Sequence, residues 1–118
     1  MKPQIAFDEY AKVEVRVGTI VAAVVPEGSE KLIQFTVELG PSTSSGQVTE
    51  LRTIFSGIKE WYDPTELVGI KTMWVTNIPP KKTPFGESQG MLFAADTVDG
   101  TPSIVRLGEE VPNGSVFH

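Results

Sequence analysis

Residues 13–39 carry two alternating runs separated by a turn signal, and this periodicity constrains the fold more than any other feature. Val13, Val15 and Val17 alternate with Glu14 and Arg16, the mark of a half-buried strand. Beyond Gly18 the alternation dissolves into Ile20-Val21-Ala22-Ala23-Val24-Val25. Glycine inside a strand marks a bulge or a bend. One long strand that bends and serves both halves of a barrel accounts for both parts. Pro26-Glu27-Gly28-Ser29 is turn chemistry. The second run sets Ile33, Phe35, Val37 and Leu39 on one face and Gln34, Thr36 and Glu38 on the other.

The rest of the chain extends this plan. Gly40–Gly46 reads as a loop, and a third strand runs near Val48–Phe55, with Leu51, Thr53 and Phe55 on one face and Arg52 on the other. Asp63-Pro64-Thr65-Glu66 has the chemistry of a helix start: Asp63 caps, Pro64 suits the first turn, and Glu66 stands three residues on. Gly69 stops that helix almost at once. Ile70–Thr76 and Met91–Ala95 read as strands four and five. Asp99-Gly100 is a hairpin turn, with Ile104–Leu107 and Ser115–Phe117 as short terminal strands. The expected fold is all-β: a five-stranded OB-fold barrel with one short helix between strands 3 and 4 and small terminal strand additions. At 118 residues the chain suits a single domain, 1–118.

Composition removes most catalytic classes. The chain has no cysteine, which excludes a disulfide framework, a thiolate metal site and a cysteine nucleophile. Its one histidine is the terminal His118, and no histidine stands ready to activate Ser56. The carboxylates form no metal or acid–base cluster, and no Walker-type loop is present. The expectation is a protein that is not an enzyme and needs no cofactor or metal. No apolar run is long enough for a signal peptide or a membrane span, so a cytoplasmic setting is expected. The formal charge of −5 opposes nucleic acid as a partner, but the charge is unevenly spread. From Val68 to Thr83 the only charges are Lys71, Lys81 and Lys82.

The segment Asn77–Met91 concentrates binding chemistry. Pro79 and Pro80 fix an extended backbone that presents Lys81 and Lys82, two mobile point charges for phosphates. Asn77, Ser88 and Gln89 offer donors and acceptors suited to bases or 2′-hydroxyls. Phe85 and Met91 either stack on a ligand or tuck into the core.

At these residues the sequence resembles the tRNA-binding domain family, found as small free-standing proteins and appended to methionyl- and phenylalanyl-tRNA synthetases. The matching pieces run in order: Lys12-Val13-Glu14-Val15-Arg16-Val17-Gly18, Glu30-Lys31-Leu32, Glu38-Leu39-Gly40 and Arg52-Thr53-Ile54-Phe55-Ser56-Gly57-Ile58. They continue through Tyr62–Gly69, Asn77 with its prolines and lysines, and Glu87-Ser88-Gln89-Gly90-Met91-Leu92. The resemblance implies an OB fold, often a homodimer through terminal additions, that recognises tRNA by shape and holds or delivers it, in trans to an aminoacyl-tRNA synthetase or alone. It implies RNA contacts at Lys31, Arg52, Ser56, Asn77, Lys81, Lys82, Ser88 and Met91. Arg16 is expected to brace the barrel or the dimer instead. Two departures stand out. Pro79 and Lys81 replace a lysine and an arginine of the family's basic run, and the Pro41–Gln47 loop is longer than usual. The Asn-Ile-Pro-Pro-Lys-Lys wording also resembles the related branch of the secretion chaperone CsaA. That branch implies binding of unfolded polypeptides through an apolar patch, with Trp61, Trp74 or Phe85 as its candidates.

Overall fold

The computed structural model describes residues 1–41 and 48–118. Most of the long Pro41–Gln47 loop therefore lies outside the described residues. A short helix α1 (Phe7–Tyr10), which alternation does not reveal, precedes β1 (Val15–Val24), β2 (Ile33–Pro41) and β3 (Thr49–Ser56). The helix α2 (Pro64–Leu67) follows, then β4 (Lys71–Val75), β5 (Lys81–Thr83), β6 (Gly86–Ser88), β7 (Met91–Leu92), β8 (Ala95–Asp96) and β9 (Pro102–Ser103). Five strands form one curled sheet in the order β3-β2-β1-β4-β7, and the fold is all-β and OB-like with α2 between β3 and β4.

Strand β1 serves both halves of the sheet. Val15–Thr19 pairs antiparallel with β4, and Thr19–Val24 pairs antiparallel with β2. The register shift lies between Ile20 and Ala22, not at Gly18. Gly18 has a different reason to be glycine. A Cβ there would stand 2.7–2.9 Å from Val37, Leu39 and Trp74, inside the contact distance of carbon atoms. The close approach lets Trp74 bury completely, donate its indole N–H to the Gly18 carbonyl (3.0 Å) and meet the Phe35 ring edge-on at 5.9 Å. Trp74 is thus core, which removes it from any surface patch.

The alternating face of β2 is the heart of the core: Ile33, Phe35, Val37 and Leu39 are fully buried, with Ile20, Ile54 and Leu67 against them. On β3 the buried Ile54 lies on the Arg52 face, while Leu51 on the other face is exposed. At α2, Asp63 caps as expected, accepting from the Thr65 N–H at 3.0 Å with Pro64 in the first turn. The hairpin at Asp99-Gly100 also forms, but its second strand is Pro102–Ser103 rather than Ile104–Leu107. Ser115–Phe117 pairs with the first half of β1: Val17 N–H donates to Ser115 and Phe117 N–H to Val15.

Among the described residues, one buried side-chain polar atom lacks a partner, the Thr72 hydroxyl. Thr72 sits fully buried on β4 opposite Gly18, and such a group costs about 1–3 kcal/mol. Thr72→Val is expected to raise stability by about 1 kcal/mol, and Gly18→Ala to lower it by about 1–3 kcal/mol through overpacking. Urea midpoints at unchanged slope check both; a neutral Gly18→Ala would remove close packing as the reason for that glycine.

Candidate nucleic-acid interface

After β4 the chain leaves the sheet through Asn77-Ile78-Pro79-Pro80 and returns as a small hairpin, β5 with β6. Alternation does not reveal these strands, because they are three residues long and flanked by proline. The Thr83 hydroxyl closes the turn, donating to the Gly86 carbonyl (2.7 Å) and accepting from Phe85 N–H (3.1 Å). The register sets Lys81 opposite Ser88 and Lys82 opposite Glu87. Directly opposed residues share a face. Ser88 is buried, so Lys81 lies on the inner face, while Lys82 shares the outer face with an acid.

The hairpin is fastened to β3 largely by side chains. Gln89 donates its backbone N–H to the Thr53 carbonyl (2.8 Å), and its side-chain oxygen accepts from the Thr53 N–H (2.8 Å). The Ser88 hydroxyl accepts from Phe55 N–H (3.0 Å) and donates to the Gly90 carbonyl (3.1 Å). Gly90 then passes so close to β4 that a Cβ would lie 2.7 Å from the Val75 carbonyl oxygen. Arg52 reaches from β3 to the carbonyls of Thr76 and Gln89 and donates its Nε to Glu50 at 2.7 Å. The other oxygen of Glu50 takes Arg16 at 3.1 Å, and Arg16 also donates to the Leu39 carbonyl at 2.9 Å. Arg16 is therefore the brace that the sequence suggests. Burial pushes the Glu50 carboxyl up, but hydrogen bonds and charge from Arg52 and Arg16 outweigh it and hold it below the ordinary carboxylate value.

These bonds sort the expected contact residues. Arg52, Asn77 and Ser88 have their polar groups engaged within the molecule. The Asn77 side chain accepts from Glu14 N–H (2.7 Å) and donates to the Lys12 carbonyl, clamping the segment that leads into β1. Lys31, Lys81, Lys82 and Met91 are exposed, and Ser56 is half-buried at the end of β3. Lys81 and Met91 border a 260 Å³ groove with Leu32, Phe55, Gly57, Ile78 and Gly90, and Lys31 adjoins Leu32. Leu32 and Gly57 join the groove although nothing in the sequence marks them, because a lone leucine and a bend glycine carry no polar signal.

A second feature lies beside the first. Phe7, Tyr10, Val13, Val116 and Phe117 are all exposed and border a 430 Å³ groove that also reaches Asn77. Among the described residues no group of three His, Cys, Asp or Glu is arranged to hold a metal, and no helix is long and apolar enough to cross a membrane.

The depressed carboxyls set a pH dependence. Glu50 is lowered as above from an ordinary 4.5. Hydrogen bonds from Thr65 lower Asp63, and those from Thr97 and Thr101 lower Asp99. A group depressed in the folded state stabilises it above the unfolded value and loses that contribution as pH falls through the folded value. Stability is therefore expected to drop below about pH 4.5. Glu50→Gln should cost roughly 1–2 kcal/mol at neutral pH, allowing for partial exposure, and make the acid drop shallower without abolishing it. Equal acid slopes in urea titrations of the two proteins would refute the Glu50 assignment.

The family model described as "Putative tRNA binding domain" matches residues 15–116. The methionine–tRNA ligase of Aromatoleum aromaticum is 43% identical over 105 residues, which cover 89% of this chain and 14% of that protein. The chain thus spans about one seventh of that relative. The crystal structure of the MetRS related protein from Pyrococcus horikoshii superposes with a TM-score of 0.86 at 35% identity, covering 99% of this chain and 100% of that one. The chaperone CsaA of Bacillus anthracis superposes at 0.79 and 20% identity, over 98% of this chain and 100% of its own, a likeness of fold. A family match over nearly the whole barrel, with the synthetase likeness well above the chaperone likeness, shows that this chain belongs to the tRNA-binding domain family.

Proposed function

We propose that this chain binds tRNA, without catalysing a reaction on it, through the groove and hairpin that carry Lys81. The observation that carries the reading is the β5–β6 hairpin on an acidic protein, holding exposed Lys81 at the rim of a mainly apolar groove with exposed Lys82 next to it in the chain. Lys31, Lys81 and Lys82 meet phosphates, Met91 supplies an apolar contact, and Ser56 offers a hydroxyl. Arg52, Asn77 and Ser88 position these groups from within, through their hydrogen bonds to the rest of the chain. The likeness to methionine–tRNA ligases supports a role in holding or delivering tRNA for an aminoacyl-tRNA synthetase, in the cytoplasmic setting where tRNA is used. Affinity is expected to weaken steeply with salt. Lys81→Ala with Lys82→Ala should reduce the slope of log K against log salt by about 1–2. A gel-shift series with total tRNA checks this; no binding at low salt, or an unchanged slope, would sink the reading.

The exposed apolar face beside the termini supports a homodimer. Phe7 is 77% exposed and Val116 56%, an arrangement that a second copy would cover. Light scattering should report a dimer, and Phe7→Asp with Phe117→Asp should shift it to monomer. Monomer alone at high concentration of the unaltered protein would refute the dimer. The same face is what a CsaA-like polypeptide-binding role would use. Trp61, 43% exposed, remains available to it, whereas Trp74 is buried. Suppressed aggregation of an unfolded client with no RNA shift would favour that role.

A further inference from the structure

Gly57 is a glycine without a backbone reason. Its φ is not positive, and a Cβ added there meets no heavy atom within 4 Å. Gly18 and Gly90 differ, because a Cβ at either would collide with packed neighbours. Gly57 is exposed at the bend after β3 and forms part of the groove wall. The fold would tolerate a side chain at this position, so glycine's remaining use is to let a ligand approach the backbone closely.

The chemistry of the groove narrows the ligand. Its walls are mainly apolar, from Leu32, Phe55, Ile78 and Met91, and its rim carries the Lys81 ammonium. That combination suits a flat, uncharged group attached to an anion. At 260 Å³ it lies below the roughly 300–1,000 Å³ of sites for drug-sized molecules, the scale of one ring system. The hydroxyls of Thr83 and Ser88 already bond within the chain, leaving neither free to read a base edge.

We propose that the groove takes one unstacked nucleobase from an unpaired stretch of the RNA, with Gly57 keeping the wall open and Lys81 on the adjoining phosphate. This rests on the RNA-binding reading and makes an unpaired nucleotide, rather than a duplex, the element recognised. Contact is with the base's faces and not its edge, so any base is accepted.

The test compares tRNA with a fully paired RNA duplex of equal charge, using the unaltered full chain, Gly57→Ala, Gly57→Val and Lys81→Ala. The unaltered chain should prefer tRNA. Gly57→Val should lose roughly tenfold on tRNA while its melting temperature, duplex affinity and salt slope stay unchanged. Gly57→Ala should lose less. Lys81→Ala should instead lower the slope by about 1 on both RNAs. In NMR titration with 5′-AMP, the Gly57 amide and Met91 methyl should shift in the unaltered chain and not in Gly57→Val. Full tRNA affinity in Gly57→Val, or equal loss on tRNA and duplex, overturns the groove while RNA binding stands. Absence of tRNA binding by the unaltered chain overturns both. Displacement of 5′-AMP by an unstructured polypeptide, with no tRNA preference, would assign the groove to polypeptide and overturn the base.

Discussion

The carboxylate of Glu50 joins β3 to Arg16 on β1, two strands that are not neighbours in the sheet. One oxygen takes Arg16 on β1 and the other takes Arg52 on its own strand. Each arginine then spends further donors on carbonyls: Leu39 on β2 for Arg16, and Thr76 and Gln89 for Arg52. Three strands, the exit of β4 and the link from β6 to β7 thus share one charged junction. A guanidinium suits this role because its donors form a rigid fork and it cannot lose its charge. Lysine at either place would supply the charge without the fork.

The features legible in the sequence are those whose causes lie within a few residues. The alternation of Ile33 to Leu39 announces β2 because every other position is core. Asp63 and Pro64 announce α2 because capping is local. The two-part pattern around Gly18 announces a strand shared between two partners, although the reason for that glycine, the Trp74 ring, lies 56 residues away in sequence. The β5–β6 hairpin escapes because its six strand residues alternate over too short a span and prolines interrupt its approach.

The candidate site shows the same limit more sharply. Residue type identifies Asn77, Arg52 and Ser88 as polar groups in a promising segment, but it cannot say whether that polarity faces solvent. The partners that draw this polarity into the fold include Glu14, Lys12, Thr76 and Phe55, at separations of 24–65 residues. Ser88 lines the groove and Arg52 fastens the segment that leads to it, leaving exposed Lys81 and Met91 at its border. The groove is consequently small and sparsely charged.

The way the hairpin is fastened to β3 has a consequence for solubility. A strand with β2 on one side has a second edge, and a free edge of backbone donors and acceptors is a template for pairing with another chain. On β3 that edge is occupied: Thr53 bonds Gln89 through both its N–H and carbonyl, and Phe55 N–H bonds the Ser88 hydroxyl. Ser88 and Gln89 therefore act as edge guards. Their loss would expose a short apolar strand bearing Ile54 and Phe55, a seed for intermolecular sheet growth in a chain built from such strands.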